Sequence, residues 1–241
     1  MDRRVKSILS AACIALFTLG NVRADTTVTV NPGAAWLGFM NVWDLPGAGN
    51  YPPNLGGYVF GSGWGTADLR ATFAGPTLTL APNTIGDPDP FWYLSTGNFS
   101  IGNKIMDANM YVQDPDGTHT GITLTFTGIV TANTMGAVNP LGDGWTAVAF
   151  IKDFAPDFSS FVQSTVTLPV GVFSVSLLTI NDPLRHVQYG FEMIGPDVWA
   201  TDSELASYGD IQITAIPEPS SIGLAMAGLL GLVAFAWKRR A

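Results

Sequence analysis

The 241-residue chain has a single cysteine, two histidines and only 12% charged residues. One cysteine excludes any internal disulfide. Cys13 sits inside an apolar run that continues through Ile14, Leu16, Phe17 and Leu19, so it reads as a small apolar residue and not as the cysteine that closes a lipobox. The chain also lacks Gly-x-Ser-x-Gly, His-Glu-x-x-His and a phosphate-cradling glycine loop. His119 falls in a turn and His186 on the polar phase of a strand pattern, so both are expected to meet solvent. Outside the termini no stretch repeats its apolar residues every 3.6 positions, and residues 202–207 offer one short helical turn at most.

Positive charge is scarce where it would matter most. Arg3, Arg4, Lys6 and Arg23 lie in the first 24 residues, and Lys238, Arg239 and Arg240 close the chain. Residues 25–216 keep only Arg70, Lys104, Lys152 and Arg185 against seventeen acids, fifteen of them Asp, a net charge of −13. Such a surface repels nucleic acid and anionic lipid, so no nucleic-acid partner is expected. It suits calcium or a neutral polysaccharide, and it equally suits plain solubility through repulsion between like molecules.

What is present at the two ends is legible. Arg3, Arg4 and Lys6 form a positive start, residues 8–19 an apolar stretch, and Val22-Arg23-Ala24 a small-residue cleavage pattern. Residues 1–24 are therefore expected to be a signal peptide, cut by signal peptidase between Ala24 and Asp25. At the other end Pro217-Glu218-Pro219-Ser220-Ser221 precedes an uncharged apolar run, residues 222–237, and then Lys238-Arg239-Arg240-Ala241. As a helix that run would rise about 24 Å against a hydrocarbon core of roughly 30 Å. The two serines and the stem of Lys238 make up part of the difference. The prolines lie just outside the run, where they start a helix. The basic end, residues 238–241, should stay cytoplasmic. Residues 222–237 are accordingly expected to be a C-terminal transmembrane helix.

This order of Pro-Glu-Pro, short apolar helix and basic end resembles the PEP-CTERM sorting signal of Gram-negative bacteria. The resemblance covers residues 217–241 only. It implies recognition and cutting by exosortase, a membrane-embedded transpeptidase-like protease, acting on an inner-membrane precursor. Delivery to the cell surface or into an exopolysaccharide matrix would follow. Carried over, Pro217, Glu218 and Pro219 are the recognition motif, and Lys238, Arg239 and Arg240 the membrane stop. An ordinary tail anchor is the alternative.

Residues 25–216 are long enough for one domain with a sizeable core. Ile122, Leu124 and Phe126 alternate with threonines; Val187, Tyr189, Phe191 and Met193 alternate with His186, Gln188, Gly190 and Glu192. Further strands are expected over 26–30, 35–42, 67–73, 77–80, 105–113, 145–152, 161–168, 170–180 and 210–215. Turn sequences such as Asn31-Pro32-Gly33 and Asn181-Asp182-Pro183 separate many of them. This predicts an all-β fold, an antiparallel two-sheet sandwich of jelly-roll type, with an immunoglobulin-like topology as the alternative.

Glycine and proline are dense over residues 43–66, which predicts an extended loop held by aromatics. Trp43, Tyr58 and Trp64, with Trp92 further on, are candidate sugar-stacking rings, since a flat ring packs on the C–H face of a pyranose. Filling the sandwich core is the competing role for each. Asp114-Pro115-Asp116-Gly117 has the opening of many calcium loops, and Asp114 and Asp116 are candidate calcium ligands; a tight turn explains the same residues. Asp210, before the last strand, is a separate candidate by analogy with jelly-roll modules. Glu192 and Glu204 are the only glutamates of the stretch, and nothing in the sequence marks either as a buried acid. The expected function is that of a non-catalytic surface or extracellular-matrix protein that binds polysaccharide. The alternative is a secreted carbohydrate-active enzyme, a glycoside hydrolase or lyase using two carboxylates.

Overall fold

The structure, a computed structural model, describes residues 24–216 apart from 47–54, 98–100, 115, 137–143 and 204. The expected signal peptide up to residue 23, the transmembrane helix and the Pro-Glu-Pro tail lie outside the described residues. No helix among the described residues is long and apolar enough to cross a membrane.

The chain runs through β1 (Thr26–Thr29), β2 (Trp36–Asp44), β3 (Tyr58–Trp64), β4 (Ala71–Ala74) and β5 (Thr77–Leu80). Three short pieces follow, β6 (Thr84–Ile85), β7 (Tyr93–Ser95) and β8 (Ile101–Gly102), then β9 (Lys104–Gln113) and β10 (Thr123–Asn133). The second half holds β11 (Thr146–Phe154), β12 (Phe161–Thr167), β13 (Gly171–Leu178) and β14 (His186–Pro196). It closes with β15 (Val198–Trp199), a single 3₁₀ turn (Leu205–Tyr208) and β16 (Ile211–Thr214). The described residues are all-β, without an α-helix.

Two six-stranded sheets carry the fold. One has the order β12-β11-β14-β9-β2-β3, every pair antiparallel. The other is organised around β10, which pairs with β13 along one edge. Its other edge is shared: β1 pairs in parallel with residues 124–127, and β16 pairs antiparallel with 129–133. β5 and β4 continue beyond β16.

The alternation in the sequence explains which face goes inward. Leu124, Phe126 and Val130 of β10 and Val187, Tyr189, Phe191 and Met193 of β14 belong to one buried apolar cluster between the sheets. The Phe126 ring meets Tyr189 and Phe191 across the interface, at centroid distances of 5.2 Å each, and Phe173 on the neighbouring strand at 5.4 Å. Gly128 faces inward where Phe173 crosses; a Cβ there would fall 2.7 Å from the ring. Asp153 also lies on the inward phase of β11, fully buried, and accepts hydrogen bonds from Ile180 N at 2.7 Å and Arg185 Nε at 2.6 Å.

Two expectations are corrected. Residues 66–70 form a turn and not the first half of a strand. Arg70 takes φ of 55°, a left-handed conformation that ends strand geometry there. The predicted loop over 43–66 contains β3, a seven-residue edge strand through Gly61-Ser62-Gly63. Its glycines make room for neighbours: a Cβ at Gly61 would fall 2.7–2.8 Å from the Tyr58 hydroxyl, Asn41 Oδ1 and the Phe39 ring.

Candidate functional site

The sheet of order β12-β11-β14-β9-β2-β3 presents its second face away from the core, and the polar phases of β2, β9, β11 and β14 converge there. On β9 the residues between the inward methionines are Asp107 and Asn109; on β14 Glu192 stands directly opposite Asn109. β2 places Asn41 opposite Asp107, and β11 contributes Lys152. Pairing register thus sets Asn109 opposite Glu192 and Asn41 opposite Asp107 one step along, and Lys152, whose own strand partner is Gln188, reaches along the face to join them.

The row is closely bonded. Asn41 Nδ2 donates to Asp107 Oδ2 at 3.1 Å, and Asn109 Nδ2 donates to Asp107 Oδ1 at 2.6 Å. Lys152 Nζ donates to Asn109 Oδ1 at 2.7 Å and lies 3.4 Å from Glu192 Oε2. The same ammonium sits over the Phe150 ring, 4.3 Å from its centroid. Asp107, Asn109 and Lys152 are each less than 9% exposed. Burial, then the adjacent Asp107 charge, pushes the Glu192 carboxyl up to about 7 against the pull of Lys152. Elsewhere Asp197 behaves similarly: burial pushes it up to about 7, although Lys104 N donates to its Oδ1 at 3.2 Å.

At the β2–β3 end of this face stand two of the sequence-predicted rings. Trp43 meets Tyr58 edge-on at 5.0 Å, and Tyr58 is 56% exposed. Trp43 Nε1 has no hydrogen-bond partner among the described residues. The other two rings go elsewhere. Trp64 and Trp92 pack against the core cluster. Trp64 also borders an open cleft with Asp68, Arg70 and Thr84, and Trp92 makes T-shaped contacts with Phe60 and Phe91.

The candidate metal ligands are not gathered. Asp114 is buried, and its carboxylate accepts from Thr118 Oγ1 at 2.8 Å and from His119 N at 2.7 Å, bonds that shape its own turn. Asp116 is exposed, and Asp210 lies at the opposite end of β10, where its backbone pairs with Thr134. Among the described residues no three His, Cys, Asp or Glu side chains stand together as a metal group. The histidines are less solvated than expected. The His119 side chain is 20% exposed beside Asp114, and His186 stacks on Phe158 at 4.3 Å. Asp107, Asn109 and Lys152 went unmarked in the sequence, where their every-second-residue spacing is that of any solvated face.

No curated protein and no solved structure matches the chain. A family model, the PEP-CTERM protein-sorting motif, matches residues 215–240. Its partner follows from it: the motif implies processing by exosortase. Changing Pro217, Glu218 and Pro219 to alanine should leave the protein exported but uncut. Fractionation should then find it in the inner membrane; release of the triple variant at wild-type size would contradict this. The C-terminal tail is a PEP-CTERM protein-sorting motif, and the chain is an extracellular protein sorted from an exported, membrane-anchored precursor.

Proposed function

We propose that residues 25–216 form a non-catalytic, jelly-roll-like binding domain, displayed on the surface or in the matrix of a Gram-negative bacterium, whose ligand is a neutral polysaccharide. The observation that carries this reading is the Trp43–Tyr58 pair: an exposed ring braced edge-on by a tryptophan at 5.0 Å. A pyranose would stack on the exposed Tyr58 ring, whose tilt the Trp43 ring fixes. A net charge of −13 favours an uncharged glycan over an acidic one. The enzyme reading fits less well. Glycosidases hold their carboxyl groups about 5–9.5 Å apart to admit the glycosidic bond or a water, whereas Asp107 and Glu192 are already engaged by Asn41, Asn109 and Lys152.

Tyr58→Ala should weaken binding to soluble neutral polysaccharide by about 1–3 kcal/mol, the usual loss of a stacked aromatic anchor. Its melting temperature should stay near wild type, because the ring is largely in solvent. Trp43→Ala should weaken binding similarly and lose some stability as well. Calorimetric titration and thermal melts on the two variants check both; undiminished affinity in both would remove the proposed contact. New reducing ends on incubation with polysaccharide would favour the enzyme.

A further inference from the structure

We infer that Lys152 and Asn109 become joined by an intramolecular isopeptide bond, formed by the side chains of the buried row itself. The three strands involved are neighbours in the order β11-β14-β9; Glu192 on the central strand stands opposite Asn109, and the Lys152 side chain reaches both from its place opposite Gln188. The shortest contact of Lys152 is with the amide oxygen of Asn109, 2.7 Å, and not with its charge partner Glu192, 3.4 Å. With a C=O bond of about 1.23 Å and an ordinary acceptor angle, that contact leaves Nζ about 3.5 Å from Cγ, at the outer edge of near-attack range. The other end of the amide is equally prepared: Nδ2, the leaving nitrogen, is held 2.6 Å from Asp107 Oδ1. The contacts therefore run in a chain from the Glu192 acid to the amine, to the amide, and from its leaving nitrogen to the Asp107 acid. Phe150 beneath Nζ and the burial of both reacting side chains keep bulk water away.

The chemistry balances without a co-reactant. Lys152 enters as an ammonium, and Glu192 receives it as a carboxylate. Glu192 takes a proton from Nζ, whose lone pair then attacks Asn109 Cγ. In the tetrahedral intermediate Nζ gives up a second proton, which Asp107 passes to Nδ2. The Cγ–Nδ2 bond breaks, ammonia departs, and an amide between Nζ and Cγ remains. Ammonia carries off the last proton as ammonium, which returns the acid pair to its starting state. Burial, which pushes Glu192 up to about 7, suits it to exchange protons at neutral pH. A plain buried ion pair would explain the Lys152–Glu192 contact, but it does not require the amide to lie between the amine and a second acid. The bond would close a loop of 43 positions in a domain that has no cysteine for the purpose.

Intact-mass measurement on the folded, processed wild-type protein is the decisive test, since it needs no variant to fold. With both termini determined, the mass should fall short of the sequence by one ammonia, and digestion should yield a branched peptide linking Lys152 to Asn109. Full mass, or a mass deficit that maps anywhere else, would overturn the proposal. A succinimide at another asparagine is the obvious competitor, and peptide mapping separates it. Lys152→Arg and Glu192→Gln should both restore full mass; a Glu192→Gln protein that still cross-links completely would remove the acid's role and overturn the proton relay through the acid pair.

Discussion

Replacing Arg185 with alanine should destabilise the domain by about 3–5 kcal/mol, the cost of leaving a buried charge without its partner. Asp153 has no exposed surface. Its carboxylate is held by Arg185 Nε at 2.6 Å and Ile180 N at 2.7 Å, and Arg185 Nη2 also donates to the Asp153 carbonyl at 2.7 Å. Removing the guanidinium strips one carboxylate oxygen and one backbone carbonyl of a donor together. For a domain of this size the loss corresponds to roughly 10 °C in melting temperature. Asp153→Asn in the same chain should recover part of it, because the orphaned charge is then gone. An Arg185→Ala protein that melts within a degree or two of wild type would mean that Asp153 is not held as an ion in the folded state.

Phe126→Ala is expected to lose a similar amount, about 3–5 kcal/mol, for an unrelated reason: a void where three rings meet. Phe126 is fully buried and touches Phe173, Tyr189 and Phe191, so it bridges β10 of one sheet to β14 of the other. Surrounding rings on two separate sheets cannot collapse into the space without moving a sheet. Denaturant unfolding should show a lower midpoint with an unchanged slope, the sign of lost stability without an altered unfolded state. Phe126→Leu retains part of the volume and should lose clearly less. Since domains of this kind have only about 5–15 kcal/mol in all, either alanine variant removes a large share. Equal stability of Phe126→Ala and wild type would place the ring outside the packed interior.

Strands with one wet and one dry face could be read directly. Residues 122–127 and 187–193 alternate cleanly, and they became β10 and β14 with the expected side inward. β3 could not be read, because glycine carries no side chain to show a period; its strand character comes from pairing with β2, and its glycines answer to Tyr58, Asn41 and Phe39. The buried row was half visible. Glu192 stood on the polar phase of its segment, but that phase looks the same whether it faces water or another polar strand. Only the register of β9 against β14 brings Asn109 opposite Glu192, and only the reach of Lys152 from β11 completes the row. No local pattern carries that information. The tail is the reverse case: its order of motif, apolar run and basic end is entirely local, and so it was readable without any structure.

The shared edge of β10 has a consequence for the timing of events. β1 and β16 occupy successive halves of it, so this edge brings together contacts 98 and 81 positions apart. Sheets closed by such distant segments fold slowly, typically over milliseconds to seconds. A chain that emerges amino-terminus first holds β1 idle until β10 follows. Half of that edge, and the edge of β5, then stay open until residues 211–214 arrive. The segment that completes the sheet ends at Thr214, and the sorting motif starts at the next residue. Docking of the last strand and removal of the tail therefore act on adjoining stretches of chain. If removal came first, the freed molecule would diffuse away with two unpaired strand edges bare, an invitation to pair with other copies. Excision that followed docking would keep the nascent sheet tethered, and dilute, until it had closed.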